Sequence, residues 1–169
     1  RGVVGLYNND TLFPGTKTVN QQAWELLVAD ELNDDLVAIG SPPLPTAWYE
    51  RGTNLTYARS DYAFGEINNL NINDEFDATI VEVAFHDSAS DALLLRDQKA
   101  RNWCARACLQ ATIRYFNTYD GAPSTLPPDP PTNPRAISNG DGTVTVTWTA
   151  PATGGVGGDA PTGYVVYRS

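Results

Sequence analysis

Residues 118 to 134 read TYDGAPSTLPPDPPTNP, with Pro123, Pro127, Pro128, Pro130, Pro131 and Pro134. Each proline removes a backbone donor and fixes φ, so neither a helix nor a central strand can run through this stretch. It reads as an extended, semi-rigid linker. The chain of 169 residues is thereby divided into a region over 1–119, a linker over 120–133 and a tail over 134–169. A domain boundary is placed in this stretch.

In the N-terminal region strand and helix patterns alternate. VVGLYN (Val3 to Asn8) is a short apolar strand. From Lys17 to Leu32 the positions Val19, Ala23, Leu26 and Leu27 lie on one helical stripe, with Asp30 and Glu31 following. GSPPLPTAWYERG is an irregular proline loop, and NLTYARSDYAFGEI is divided between a strand and a short helix or loop. DATIVEVAF is apolar and β-branched almost throughout, as expected of a strand covered on both faces. Ser88 then stands as a helix N-cap, with Asp91 at the capping-box position. Asp97 to Tyr119 is a longer helix. Ala105, Leu109, Ile113 and Phe116 suggest its covered face, flanked by Cys104, Cys108 and Thr112, while Arg101, Arg106, Gln110 and Arg114 sit mostly elsewhere. This alternation predicts an α/β domain with a mainly parallel sheet.

The tail has a different period. PRAISNGDGTVTVTWTAP gives a short strand, a turn over Asn139-Gly140-Asp141-Gly142 and a strand from Thr143 to Thr149. Val144, Val146 and Trp148 share one face of it, with Thr145 and Thr147 on the other. A glycine-rich loop follows, and YVVYRS begins a further strand. Three strands cannot bury a sandwich core, so this domain is expected to continue past Ser169. From Pro131 onward the tail resembles a fibronectin type III domain, through PxxPRAI, through GTVTVTWTAP with Trp148, and through GYVVYRS with Tyr164 and Tyr167. The resemblance implies a partial all-β sandwich, a module that serves mostly as a spacer or adhesive unit.

Charge limits the partners. The formal net charge of −9 disfavours nucleic acid, whose phosphates need a Lys/Arg surface, and disfavours anionic lipid. No run of about 18 apolar residues exists to span a membrane, and no signal peptide is visible. The chain opens on Arg1 without a methionine, so both ends are expected to be cut from a longer protein. Cys104 and Cys108 share a helix face in poor geometry for a disulfide and read as buried small apolar residues. With two cysteines and one histidine in the chain, they do not make a structural zinc site.

Two residues stand out chemically. Glu82 places a carboxylate in the strongest strand of the chain, and His86, the one histidine, follows it in a loop with Asp87. Burying an unpaired carboxylate is expensive. Glu82 therefore either pairs with an arginine such as Arg51 or Arg59, or reaches solvent at the strand end, or acts as a general base. The last option fits the rule that α/β sites lie outside the carboxyl ends of parallel strands. His86 alone cannot bind a metal and reads as a hydrogen-bonder or surface residue.

The segment ATIVEVAFHDSASDALLLRDQKARNWCARACLQATIRYF resembles the C-terminal end of the zinc-dependent N-acetylmuramoyl-L-alanine amidases. That family carries an apolar strand ending Val-Glu-x-Gly-Phe-(Leu/Ile)-Ser-Asn, then a leucine-rich segment and a closing helix ending in Tyr-Phe. Val81, Glu82, Phe85, DALLLRD and IRYF match; Ala84, His86, Asp87 and Ser88 depart from the pattern. GVVGLY and ERGTNLTYAR resemble upstream pieces of the same family, so the likeness covers roughly residues 1 to 117. It implies a three-layer sheet-and-helix amidase domain, N-terminally truncated, acting on peptidoglycan in the bacterial cell envelope or outside the cell. It further implies a zinc held by two His and one Glu upstream of Arg1, with Glu82 as catalytic base and acid and His86 lining the substrate pocket. The 169-residue chain alone is then expected neither to hold catalytic zinc nor to cleave peptidoglycan. The alternative is a non-catalytic cell-wall binding protein that kept the groove and lost the metal. An unrelated α/β hydrolase is disfavoured because no G-x-S-x-G elbow occurs.

Overall fold

The computed structural model describes residues 1–9, 20–52, 55–59, 64–72, 75–121 and 123–168. They separate into two compact units, Arg1–Ser124 and Thr125–Ser169. The first contains strand β1 (Val4–Asn8), helix α1 (Gln21–Ile39), strand β2 (Thr56–Arg59) and a 3-10 turn at Gly65–Ile67. Helix α2 (Asn69–Ile72), strand β3 (Ile80–Glu82), and helices α3 (Ala89–Arg96) and α4 (Gln98–Tyr119) follow. The expected mixed α/β character is present.

The sheet has the order β2-β1-β3. β1 and β2 are parallel, with Gly5 opposite Thr56, and the long helix α1 lies between them in sequence. That is the crossover a parallel pair requires. β3 instead runs antiparallel to β1, with Val4 opposite Glu82 and Leu6 opposite Ile80. This corrects the expectation of a mainly parallel sheet. The described part of the β2–β3 connection holds only a 3-10 turn and the four-residue α2, and β3 returns against the free side of β1. The expectation of a long strand covered on both faces is corrected as well. Only Ile80–Glu82 pairs, and every residue of it is half-buried, because β3 stands at one end of the strand order.

Alternation along the strands divides the core. Val3, Leu55 and Val81 face α1 and α4, packing on Val28, Leu32 and Ala107. Val4 and Leu6 face the other way and pack with Ile67, Phe64 and Ile80. Helix α1 extends seven residues beyond the expected end at Leu32 and stops at Gly40, whose φ of 66° lets its N–H reach the Leu36 carbonyl at 3.3 Å. Residues 17–19 of the expected helix lie outside the described residues. The stripe α1 buries is Val28, Ala29, Leu32 and Leu36, whereas Leu26 is exposed.

Helix α4 begins where the sequence places it, because the Asp97 carboxylate accepts from the Ala100 N–H at 2.8 Å. Its covered face differs from the expected one. Leu109 and Phe116 are 47% and 50% exposed, and the buried residues are Ala100, Ala107, Gln110 and Ala111. Small side chains let α4 approach α1 closely, and that closeness selects the buried face. Gln110 is buried rather than outward, and Arg114 turns toward α1, with Nε 2.9 Å from the Glu31 carboxylate. Cys104 and Cys108 are free and pack against the core; burial pushes the Cys104 thiol up to about 11.

In the second unit β4 (Thr132–Ser138) and β5 (Val144–Thr149) form an antiparallel pair, with Ala136 opposite Val146 and an irregularity between Thr132 and Arg135. Asn133, at φ 52°, and Pro134 sit in that irregularity. The turn is the expected one: Gly140 and Gly142 adopt φ of 77° and 87°, and the Asp141 carboxylate accepts from the Thr143 N–H at 2.9 Å. YVVYRS does not form the expected strand over its described residues, 164–168. No neighbouring strand among the described residues offers it a ladder. Tyr164 instead sets its ring 5.0 Å from that of Trp148.

Candidate functional site

Glu82 closes β3. Residues directly opposite in an antiparallel pair point to the same face, so Glu82 shares the face of Val4, away from α1 and α4. Its side chain is half-buried. The arginines that sequence offered as partners are engaged elsewhere. Arg51 donates from Nε to the Arg1 carbonyl at 2.7 Å and lies over the Phe85 ring at 5.5 Å. Arg59 donates to the Ala58 carbonyl at 3.1 Å and lies over Tyr57. Among the described residues no ion pair to Glu82 forms, so the pairing with Arg51 or Arg59 is not met there, whereas a half-buried carboxylate on the last residue of β3 agrees with the expectation that it reaches solvent at the strand end. Because β3 is antiparallel to β1, Glu82 lies beside the amino end of β1. The rule about carboxyl ends of parallel strands therefore does not place it.

The loop after β3 is fixed by a residue the sequence assigned to a different task. Asp91 makes no capping box with Ser88, whose hydroxyl makes no cap hydrogen bond. Its buried carboxylate reaches outside its own helix. Oδ2 accepts from the Phe85 N–H at 3.1 Å and from the Gly2 N–H at 3.0 Å, and the Arg1 guanidinium stands 3.8 Å from Oδ1. Gly2 is required at this meeting: its φ is +72°, and a Cβ there would overlap the Tyr49 carbonyl. Arg1 covers the Tyr49 ring at 5.2 Å. One carboxylate thus ties the segment entering β1 to the loop leaving β3. The capping-box spacing concealed this, because it supplies a local partner that the fold does not use.

His86 and Asp87 are exposed on that loop. Ser88 N–H donates to the Phe85 carbonyl at 3.0 Å and closes the turn that presents them. The structure therefore places Glu82 and His86 near one end of β3 but brings no further titratable side chain to Glu82 among the described residues. Among those residues no group of three or more His, Cys, Asp or Glu is arranged to hold a metal ion. Glu82 and an exposed lone histidine do not fit a catalytic zinc, which takes three protein ligands.

A second carboxylate lies on the opposite face of the same sheet. Glu25 of α1 is 0% exposed and meets Gly5 of β1, where a Cβ would overlap its carboxylate. Neither oxygen finds a hydrogen-bond partner among the described residues. Burial, with the Asp30 charge adding to it, pushes the carboxyl from 4.5 up to about 8. Nothing in the sequence marks Glu25, since a glutamate in an amphipathic helix is expected on the wet side.

These features define an α/β domain with a half-buried carboxylate at a sheet end and a pinned loop beside it. The chain matches no protein-family model and no curated protein. Among solved structures it is similar to the apo form of the N-acetylmuramyl-L-alanine amidase Ami1 from Mycobacterium abscessus, at 20% identity and a TM-score of 0.48. The similarity covers 68% of this chain and 47% of that one, so the chain spans about half the length of that relative.

Proposed function

We propose that this chain is part of a peptidoglycan hydrolase that cleaves the amide between N-acetylmuramic acid and L-alanine, with Glu82 as its general base and acid. The observation that carries this is Glu82 itself, a half-buried carboxylate at the end of β3 with no cation paired to it among the described residues. The ordered resemblance of the segments from GVVGLY to IRYF supports the same reading. Glu82 would take a proton from the attacking water and return it to the departing amine. His86, exposed on the adjoining loop, would line the substrate pocket. The resemblance also implies a zinc that would supply Lewis-acid chemistry, but no group of residues among those described is arranged to hold it. Peptidoglycan as substrate places the protein in the cell envelope or outside the cell, with the tail as a fibronectin-like spacer.

The test is Glu82→Gln in the full-length protein, assayed by release of free amines from purified peptidoglycan. The expected loss is about 10²- to 10⁴-fold in rate, the share a general base supplies, with peptidoglycan binding retained. Wild-type protein that sediments with peptidoglycan but releases no amines would replace this reading with the non-catalytic binding one.

A further inference from the structure

At the other end of β3 the first unit holds an open cavity of about 440 Å³. Aromatic rings build it. Tyr115 stands at the centre, with ring centroids 4.9 Å from Trp24, 5.7 Å from Phe116 and 4.9 Å from Tyr119. Phe76 closes another side, and Phe76, Phe116 and Tyr119 are 56%, 50% and 45% exposed. Aromatic residues gathered around one opening are costly to leave wet and mark binding surfaces.

The charged lining is anionic. Asp77 and Asp120 both line the cavity, and no lysine or arginine does so among the described residues. Asp77 is held in place: Oδ1 accepts from the Asn20 N–H at 3.0 Å, and Oδ2 accepts from the Tyr115 hydroxyl. Burial, with Asp77 beside it, pushes the Tyr115 hydroxyl up to about 12, so it remains a donor. Asp120 caps the C-terminus of α4, where the helix dipole adds partial negative charge. Ring faces carry negative potential, so rings, carboxylates and helix end all favour a positive guest.

We infer that this cavity binds a small organic cation, an alkylammonium group seated against the Trp24, Tyr115 and Tyr119 rings with Asp77 and Asp120 as counter-charges. The volume lies within the usual range for small-molecule sites, about 300–1,000 Å³. The site is independent of the role given to Glu82: Asp77 precedes β3 and Glu82 closes it.

Isothermal titration of the full chain with choline and with its neutral isostere 3,3-dimethylbutan-1-ol decides the matter, with methyl glucoside as a second neutral probe. Choline should bind saturably, more weakly as salt rises, and about tenfold or more tighter than the isostere, as attraction to several ring faces requires. Phe76→Ala and Asp120→Asn change exposed side chains and should each weaken choline several-fold, while Leu109→Ala, outside the cavity, should leave it unchanged. Equal affinity for choline and the isostere, saturable binding of the glucoside alone, or no saturable binding of choline would each overturn the proposal.

Discussion

Replacing Glu25 by glutamine should change how stability depends on pH more than it changes stability itself. The carboxyl ordinarily titrates at 4.5 and in the fold at about 8, so the folded chain holds a proton that the unfolded chain releases. The stabilisation from that proton is complete below about pH 4.5, declines as pH rises, and is gone above about pH 8. Linkage between these two values gives roughly 3–4 kcal/mol of difference between about pH 5 and about pH 8.5. That is a large part of the 5–15 kcal/mol typical of a domain. The glutamine variant keeps the shape against Gly5 and carries no titratable proton. It should be somewhat less stable than wild type in acid, because its unpartnered amide costs about 1–3 kcal/mol, and more stable in mild alkali. Urea denaturation followed by helical circular dichroism reads the first unit, where the described helices lie. The difference between the two proteins is the quantity of interest, since Asp35, pushed up to about 7 by burial and by Glu31, also titrates in this window. Parallel pH profiles for wild type and variant would refute the reasoning, because they would mean Glu25 is ionised in the fold.

Two further substitutions test the scaffold. Asp91→Ala removes the acceptor for the Gly2 and Phe85 amides and should cost roughly 2–4 kcal/mol in urea denaturation, with Asp91→Asn recovering part of it. Asp97→Ala removes the side-chain cap of α4 and should cost about 1 kcal/mol by the same measurement, with no shift in the Glu25 pH profile.

Legibility in the sequence followed the range of the interactions. The Asp97 cap of helix α4 emerged only in the structure, but the extent of the helix was readable because its period runs over many residues. Its buried face was not, because the large residues Leu109 and Phe116 looked like core, while the contact with α1 selected alanines and cysteines. The Asn139–Gly142 turn was readable from its glycines alone. The direction of β3 was not, since a strand's own residues do not state which way its neighbour runs. Glu82 was conspicuous as an acid in an apolar run. Glu25 was silent, because its burial depends on Gly5 in another element. Asp91 was read with a local partner and found two distant ones.

The double engagement of Asp91 has a kinetic consequence. Amide protons exchange with solvent only when their hydrogen bonds open, and those of Gly2 and Phe85 depend on one carboxylate. Withdrawal of that single side chain exposes both at once, although they lie far apart in the first unit's sequence. Their exchange should therefore belong to one cooperative opening rather than to two separate frayings. The loop presenting His86 is then only as persistent as the hold of Asp91 on Gly2 and Phe85.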